Sequence, residues 1–395
     1  MRHLDRDLRL LALANLFYAL GVGMYLQLLY VYAAEDLSAS RFTLGLLNAV
    51  MLAMLALGNI PGAWAARRFR LRPVIVAVWW LTVPAALSFY FAPSWPWLIP
   101  GLLITGLYQA NNPALKSYIY LKSEPSRVAS NLTIVYGSYP LGLVVAPLVG
   151  GWLAAEHGLR TVFLISAAVF TVSSVTASLI HDTPYHTADA PLSLAALRRN
   201  RRFRRYIVFF FAGFLAAYVG QTFLNPYLAQ VHDQGYAALG VYSSLAALGA
   251  AMLTLGMGRV TDLYGPRAGI SGVLLFLAVG ATLLLVGWNP VVWGLAMLSC
   301  GAFDALRFVA AGIVGDSFSG MPLAWGYAIF DTVMGIPMVG GAVLGGLLYR
   351  AGYALPFVLV AVVVAGLLVV LLASGRGPAD ELAAQAGRGR PQARH

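Results

Sequence analysis

Three ionisable residues interrupt long apolar stretches in the second half of this chain: Asp304 and Arg307 in one stretch, Asp331 in the next. A charge in lipid is costly, so it persists where it has a partner or a task. Asp304 and Arg307 are three residues apart and close enough on one helix turn to pair. Such a pair is either a permanent brace between helices or an exchangeable contact. Asp331 has Tyr327 and Thr332 near it but no base within a turn, which makes it the candidate group for taking up and releasing a proton. Arg307 would then be shared between Asp304 and Asp331 as the conformation changes. Lys116 reads as a snorkelling residue that reaches for lipid headgroups.

Catalytic constellations are weak by comparison. Gly315-Asp316-Ser317-Phe318 resembles an esterase nucleophile box, yet no histidine follows it before His395, and a helix-end turn accounts for it. The sequence holds no phosphate loop, no dinucleotide fingerprint and no zinc-type histidine spacing. Cys300 is the single cysteine, so neither an internal disulfide nor a cysteine metal cage is available. The expectation is a non-enzyme without metal or cofactor.

A second set of polar residues lies in the same apolar stretches. Asn15, Tyr18 and Tyr25 fall on one helical stripe, and Tyr218, Gln221 and Asn225 on another. Gln109, Asn111 and Asn112, then Tyr136 and Tyr139, add amides and phenols elsewhere. Each amide is open to two readings, as interhelical glue or as cavity lining. Taken together with Tyr327, these twelve residues are the candidate substrate cavity, and the tyrosines could stack on or hydrogen-bond an aromatic solute.

The elements that position them are twelve apolar runs, at 8–33, 42–66, 73–91, 97–120, 128–153, 161–180, 205–230, 236–260, 267–287, 291–315, 323–348 and 354–373. Each is about long enough to cross a bilayer, and backbone in lipid must satisfy its own polar groups, so the runs are helices. With 60% hydrophobic and 10% charged residues the chain is far from a soluble composition. The third, sixth, ninth and twelfth runs carry no charge, Asn or Gln in their interiors and read as lipid-facing supports. The remaining eight are expected to surround a wet cavity.

The net charge of +11 would suggest nucleic acid in a soluble protein, but here position is more telling than sum. Of the 26 Lys and Arg, Arg41, Arg160 and Arg350 fall on one side and Lys116 and Arg307 within runs; the rest fall on the side of the termini. The positive-inside rule places both termini in the cytoplasm of a multi-pass protein of the cytoplasmic (inner) membrane. The basic cluster Arg198 to Arg205 then sits at the headgroups. An N-terminal signal peptide is disfavoured, because the first run is too long and belongs to a repeat.

Landmarks in the first six runs recur about 195 residues later. Gly62, Ala66, Arg67 and Arg72 align with Gly258, Asp262, Gly265 and Arg267; Gly106, Gln109 and Asn112 with Gly301, Asp304 and Arg307; Gly150 and Gly151 with Gly345 and Gly346. The fold class expected is an all-α membrane protein of twelve transmembrane helices in two pseudo-symmetric six-helix bundles. The bundles cover 1–180 and 205–374, with a basic cytoplasmic linker over 181–204 and a disordered cytoplasmic tail over 375–395.

Gly258, Asp262, Gly265 and Arg267 fill a G-x-x-x-D-x-x-G-x-R pattern, which resembles the signature loop of the major facilitator superfamily. The first copy departs from it, with Ala66 in place of the aspartate and Phe69 in place of the second glycine. The resemblance implies the two-bundle fold, alternating access, and a latch made by these gating loops on the cytoplasmic side. Gly142, Ala146, Pro147, Gly150 and Gly151 resemble the G-x-x-x-G-P-x-x-G-G helix-packing motif of proton-driven exporters in that family, although Leu102 stands where many of them carry an arginine. The function this implies is proton-coupled efflux of small amphiphilic or aromatic compounds, with uptake of a sugar or other polar metabolite alongside a proton as the alternative. A membrane enzyme or non-transporting receptor is the remaining class. The partners expected are a small-molecule substrate and the bilayer, with no nucleic acid, and the protein is expected to be a monomer.

Overall fold

The structure is a computed structural model that describes residues 5–124, 127–183, 201–315 and 323–373. Of the predicted linker over 181–204, residues 201–204 open the helix Arg201–Gln221, while 184–200, the tail beyond 373 and the Gly315–Phe318 box from Asp316 onward lie outside the described residues. So do the side chains of Arg67, Gln109 and Tyr327.

Every regular element among the described residues is helical. Eleven are long and apolar enough to cross a membrane, from Arg6–Glu35 to Leu355–Ala373. The twelfth is the fourth in chain order. The sequence predicts one rod over 97–120; instead Leu98–Leu107 and Asn111–Lys122 are separate α-helices joined by a 3-10 turn, Tyr108–Ala110. Pro113 explains the break, since it lacks the N–H that would bond the carbonyl four residues back, in that turn.

Breaks recur at matching places in the two halves. The first span stops at Tyr25 and resumes at Leu29, while the seventh stops at Gln221 and resumes at Leu224, just before Pro226. The tenth is split at Gly301 between Pro290–Cys300 and Ala302–Gly315, which corresponds to the split of the fourth. The break in the first span frees the carbonyl of Gln27, and Asn225 of the other half donates to it at 2.9 Å.

Spans from the two halves meet closely at the face opposite the termini. A Cβ on Gly240, in the helix Tyr236–Tyr264, would collide with the carbonyl of Pro147 and the backbone of Gly151 in the helix Val128–His157. Gly45 and Gly346 meet in the same way between the second and eleventh spans. Glycine is needed at these four positions because backbone lies against backbone. Side chains then tie the halves together. Arg41 lies 3.7 Å over the ring of Tyr353 and hydrogen-bonds its hydroxyl, Tyr236 donates to Asp36 at 2.8 Å, and Asn48 donates to Thr222 at 2.6 Å.

Toward the face carrying the termini the fifth and eighth spans separate, while the second and eleventh stay in contact, Thr332 donating to the carbonyl of Ala56 at 3.3 Å. A Cβ on Gly137 of the fifth span, or on Gly256 and Gly258 of the eighth, would meet open space within 4 Å. The fourteen residue steps from Gly137 to Gly151 cover about 21 Å of helix, so the gap opens within one helix length. The molecule is two bundles closed at the far face and open at the basic one.

Candidate functional site

The cavity between the bundles is built around a cluster of charges at mid-depth. Arg307 Nη2 and Asp331 Oδ1 are 3.9 Å apart, each side chain about a quarter exposed (26% and 25%). Asp304, one turn before Arg307, accepts from Gln221 Nε2 at 3.1 Å. The pairing expected from sequence, Asp304 with Arg307 on one turn, is therefore corrected. Arg307 reaches across to the eleventh span, and an amide from the seventh holds Asp304. Asp331 does have a basic partner, supplied by a neighbouring helix.

Lys116 was expected at the headgroups. Instead it sits within charge–charge range of both Asp331 and Arg307, so the first half contributes a cation to a cluster formed otherwise by the second. Its helix begins at Asn111, after the 3-10 turn, and the break at Tyr108–Ala110 sets the direction of that helix. Tyr139 of the fifth span and Tyr218 of the seventh also interact electrostatically with Arg307 and Asp304. Tyr139, Tyr218, Gln221, Asp304, Arg307 and Asp331 are thus brought together as the sequence suggested, with Lys116 added.

Other predicted cavity residues lie in packed interior. Tyr25 is 1% exposed and its ring packs against Phe89, Phe163 and Phe170; it belongs to the core of the first bundle and not to the cavity. Asn15 is buried and donates to the carbonyl of Val135 at 3.0 Å, which makes it glue between the first and fifth spans. Asn225 spans the breaks, bonding Gln27 and, at 2.8 Å, Ser243. Asn111 is likewise buried. Tyr18 stacks on Tyr108 with ring centroids 3.7 Å apart and lies 6.0 Å from Tyr139, so it backs the cavity wall through its neighbours. Asn112 and Tyr136 are half-buried, and the Tyr136 hydroxyl has no hydrogen-bond partner.

The loops and the glycine motif have visible packing roles. Gly265 has φ +90°, a conformation that only glycine adopts without strain. Arg267 donates to the carbonyl of Leu372 at 2.6 Å, and Arg72 to those of Ile180 and Ser178 at 2.7 and 2.9 Å. In each half the signature arginine therefore caps the last carbonyls of a support helix, where the helix end is electronegative. Gly62 lies against the backbone of Ala110, at the break in the fourth span. Asp262 is exposed at the open face. In the fifth span Gly142, Ala146 and Gly150 seat Ala19, Gly23 and Met24 of the first span, while Pro147 and Gly151 meet the eighth.

One cluster escaped sequence reasoning. Asp7, 2% exposed at its side chain, pairs with Lys122 at 2.8 Å and with His181 Nδ1 at 3.0 Å, and accepts from Tyr118 at 2.9 Å. It joins the starts and ends of the first, fourth and sixth spans at the basic face. No spacing within one segment could reveal it, since its members are far apart in the chain.

A two-bundle helical protein with a charged, two-sided cavity is a membrane transporter in class. The particular family follows from comparison: a model of the Major Facilitator Superfamily matches residues 11–306, and this chain belongs to that superfamily. Among solved structures it is similar to the nucleoside transporter NupG, with TM-score 0.75, 15% identity, and coverage of 93% of this chain and 98% of that one. A bacterial homologue of the human lysosomal transporter Spinster, in an inward-facing and occupied conformation, matches with TM-score 0.66, 19% identity and coverage of 93% and 92%. Among curated proteins, the cis,cis-muconate transport protein of Acinetobacter baylyi is 26% identical over 139 residues, 33% of this chain and 32% of that one. The MFS-type transporter ppzB of Metarhizium rileyi is 26% identical over 125 residues, 31% and 26%. The chain thus aligns with about a third or less of the curated relatives it matches.

Proposed function

We propose that this protein is a proton-coupled secondary transporter of a small organic solute in the cytoplasmic membrane, working by alternating access with Asp331 as the proton carrier. The observation that carries the reading is the Arg307–Asp331 pair, loose and partly exposed in a cavity open to one face. A carboxylate held by a loose, exchangeable contact can be released and protonated when that contact is taken by something else. The distribution of basic residues makes the open face cytoplasmic, with both termini there, so the conformation is inward-facing.

Cotransport of solute and proton follows if the entering solute, by taking Arg307, is what frees Asp331 for protonation. The second reading, efflux of amphiphilic or aromatic compounds in exchange for protons, is supported by the exporter-like run Gly142 to Gly151. That run, however, packs the first and eighth spans, a role that carries no preference for direction. Purified protein in proteoliposomes with a trapped pH dye tests the proposal. Solute added to one side should move protons in the same direction, and Asp331→Asn should abolish the proton movement. Solute movement by that variant with its full dependence on the proton gradient would refute it.

A further inference from the structure

From the cavity's charges we infer the solute class: an organic anion with a carboxylate and a compact planar body, which displaces Asp331 from Arg307. The inference rests on the transporter reading and adds to it the chemistry of the solute and the reason for coupling.

The geometry supplies three arguments. First, the 3.9 Å separation of Arg307 from Asp331 exceeds the roughly 2.7–2.9 Å of a full charge-assisted hydrogen bond. A guanidinium presents five N–H donors in a planar fork, and this one meets Asp331 only loosely. A carboxylate entering the cavity can take that fork with two bonds, as arginine binds carboxylates elsewhere. Second, the cavity's other acid, Asp304, is already held by Gln221, while Lys116 adds a second positive charge from the opposite bundle. Two bases, one from each bundle, thus act on a carboxylate bound at Arg307. Third, Tyr139 of the first half is half-buried and electrostatically coupled to Arg307, so an aromatic ring from the opposite bundle is available to a planar body anchored there.

Charge balance then sets the coupling. Among the described residues, the empty cluster holds two bases, Lys116 and Arg307, and two acids, Asp304 and Asp331. The groups facing Asp331 are Arg307 of the tenth span, Lys116 of the fourth and Tyr218 of the seventh. An anion alone would add a net charge, and closing the bundles around an uncompensated charge in low dielectric is strongly unfavourable. Asp331, freed from Arg307, takes one proton from the water of the open cavity and restores neutrality. Empty and doubly loaded forms can both close; the form carrying anion without proton cannot. One carboxylate therefore moves with one proton.

The test uses benzoate and cis,cis-muconate as probes, with benzamide and uridine as neutral comparators, on detergent-purified full-length protein and on proteoliposomes. Benzoate should bind at least about tenfold more tightly than benzamide, and its affinity should rise up to about tenfold per unit fall in pH if one proton enters with it. Asp331→Asn should bind benzoate more tightly than wild type near neutral pH and without that pH slope, a gain that a misfolded variant cannot imitate. Arg307→Gln should lose benzoate binding. Failure of both anions to bind, an unchanged pH slope in Asp331→Asn, or full binding in Arg307→Gln would overturn the inference. Proton-linked movement of uridine or benzamide without anion binding would remove the anion class and leave the transporter reading standing. Anion binding with the predicted slopes but without movement of any solute would keep the site and refute the transporter reading.

Discussion

Gly240→Val should shift the protein out of the conformation that is closed at the face opposite the termini. The Cβ at position 240 would run into the carbonyl of Pro147 and the backbone of Gly151, neither of which is a flexible side-chain tip, so closure at the far face must loosen. Overpacking of this kind costs about 1–3 kcal/mol. The outward-open conformation has those helices apart and bears none of that cost, so the ratio of the two conformations should move by about 5- to 150-fold. Cysteine labelling reads the shift against a quiet background, because the native Cys300 is buried. A cysteine replacing Gly137, where a side chain has open space, should under the proposed topology react more slowly with a membrane-impermeant maleimide in inside-out vesicles once Gly240→Val is added. A cysteine replacing Thr222, buried at the closed contact with Asn48, should react faster from the outer side. Equal labelling rates with and without Gly240→Val, in protein shown to be folded by its melting temperature, would refute the claim that this glycine contact forms the outer closure.

Asp7→Asn should lower the stability of the purified protein by about 2–4 kcal/mol, since it removes a buried carboxylate and leaves Lys122 facing a neutral group; a detergent melting curve that does not move would contradict the structural role. Tyr353→Phe keeps the ring under Arg41 but removes the hydroxyl, so it should weaken outer closure by no more than about 1 kcal/mol, seen as a small rise in Thr222→Cys labelling from outside. Arg72→Gln should cost about 1.5–3 kcal/mol through the lost bonds to Ile180 and Ser178, measured as a lower melting temperature with solute affinity unchanged. Asn15→Ala should cost stability without altering solute binding, because its amide bonds the backbone of Val135; a specific loss of solute affinity would return it to the cavity.

The bundles were legible in the sequence because lipid imposes one simple demand, internally bonded helices of a fixed length, and because internal repetition exposes the two halves. What escaped were contacts chosen by tertiary packing. Spacing put Arg307 within reach of Asp304 and left Asp331 as a second partner, and only the packing of the eleventh span beside the tenth decides that the ion pair is with Asp331. Lys116 lies near one end of its helix and was read as snorkelling, whereas the helix break at Tyr108–Ala110 precedes the segment that brings it to the charge cluster. The stripe Asn15, Tyr18 and Tyr25 was correctly placed on one helix face, yet that face turned out to pack against the fifth span and the Phe163–Phe170 core. A polar stripe marks a buried face equally well when its neighbour is another helix or water. An isolated proline in a span is often absorbed by a kink, so Pro113 by itself does not dictate the full break seen in the fourth span.

The central claim is that the two bundles rock about a fixed central site, opening one face as the other closes. Pulsed electron paramagnetic resonance on two pairs of spin labels tests it directly, one pair at Gly137 and Gly258 on the open side and one at Leu37 and Ala238 on the closed side. Addition of a transported solute should shorten the distance in the first pair and lengthen it in the second within the same sample conditions. Distances in both pairs that stay fixed, or that change in the same sense, would contradict it.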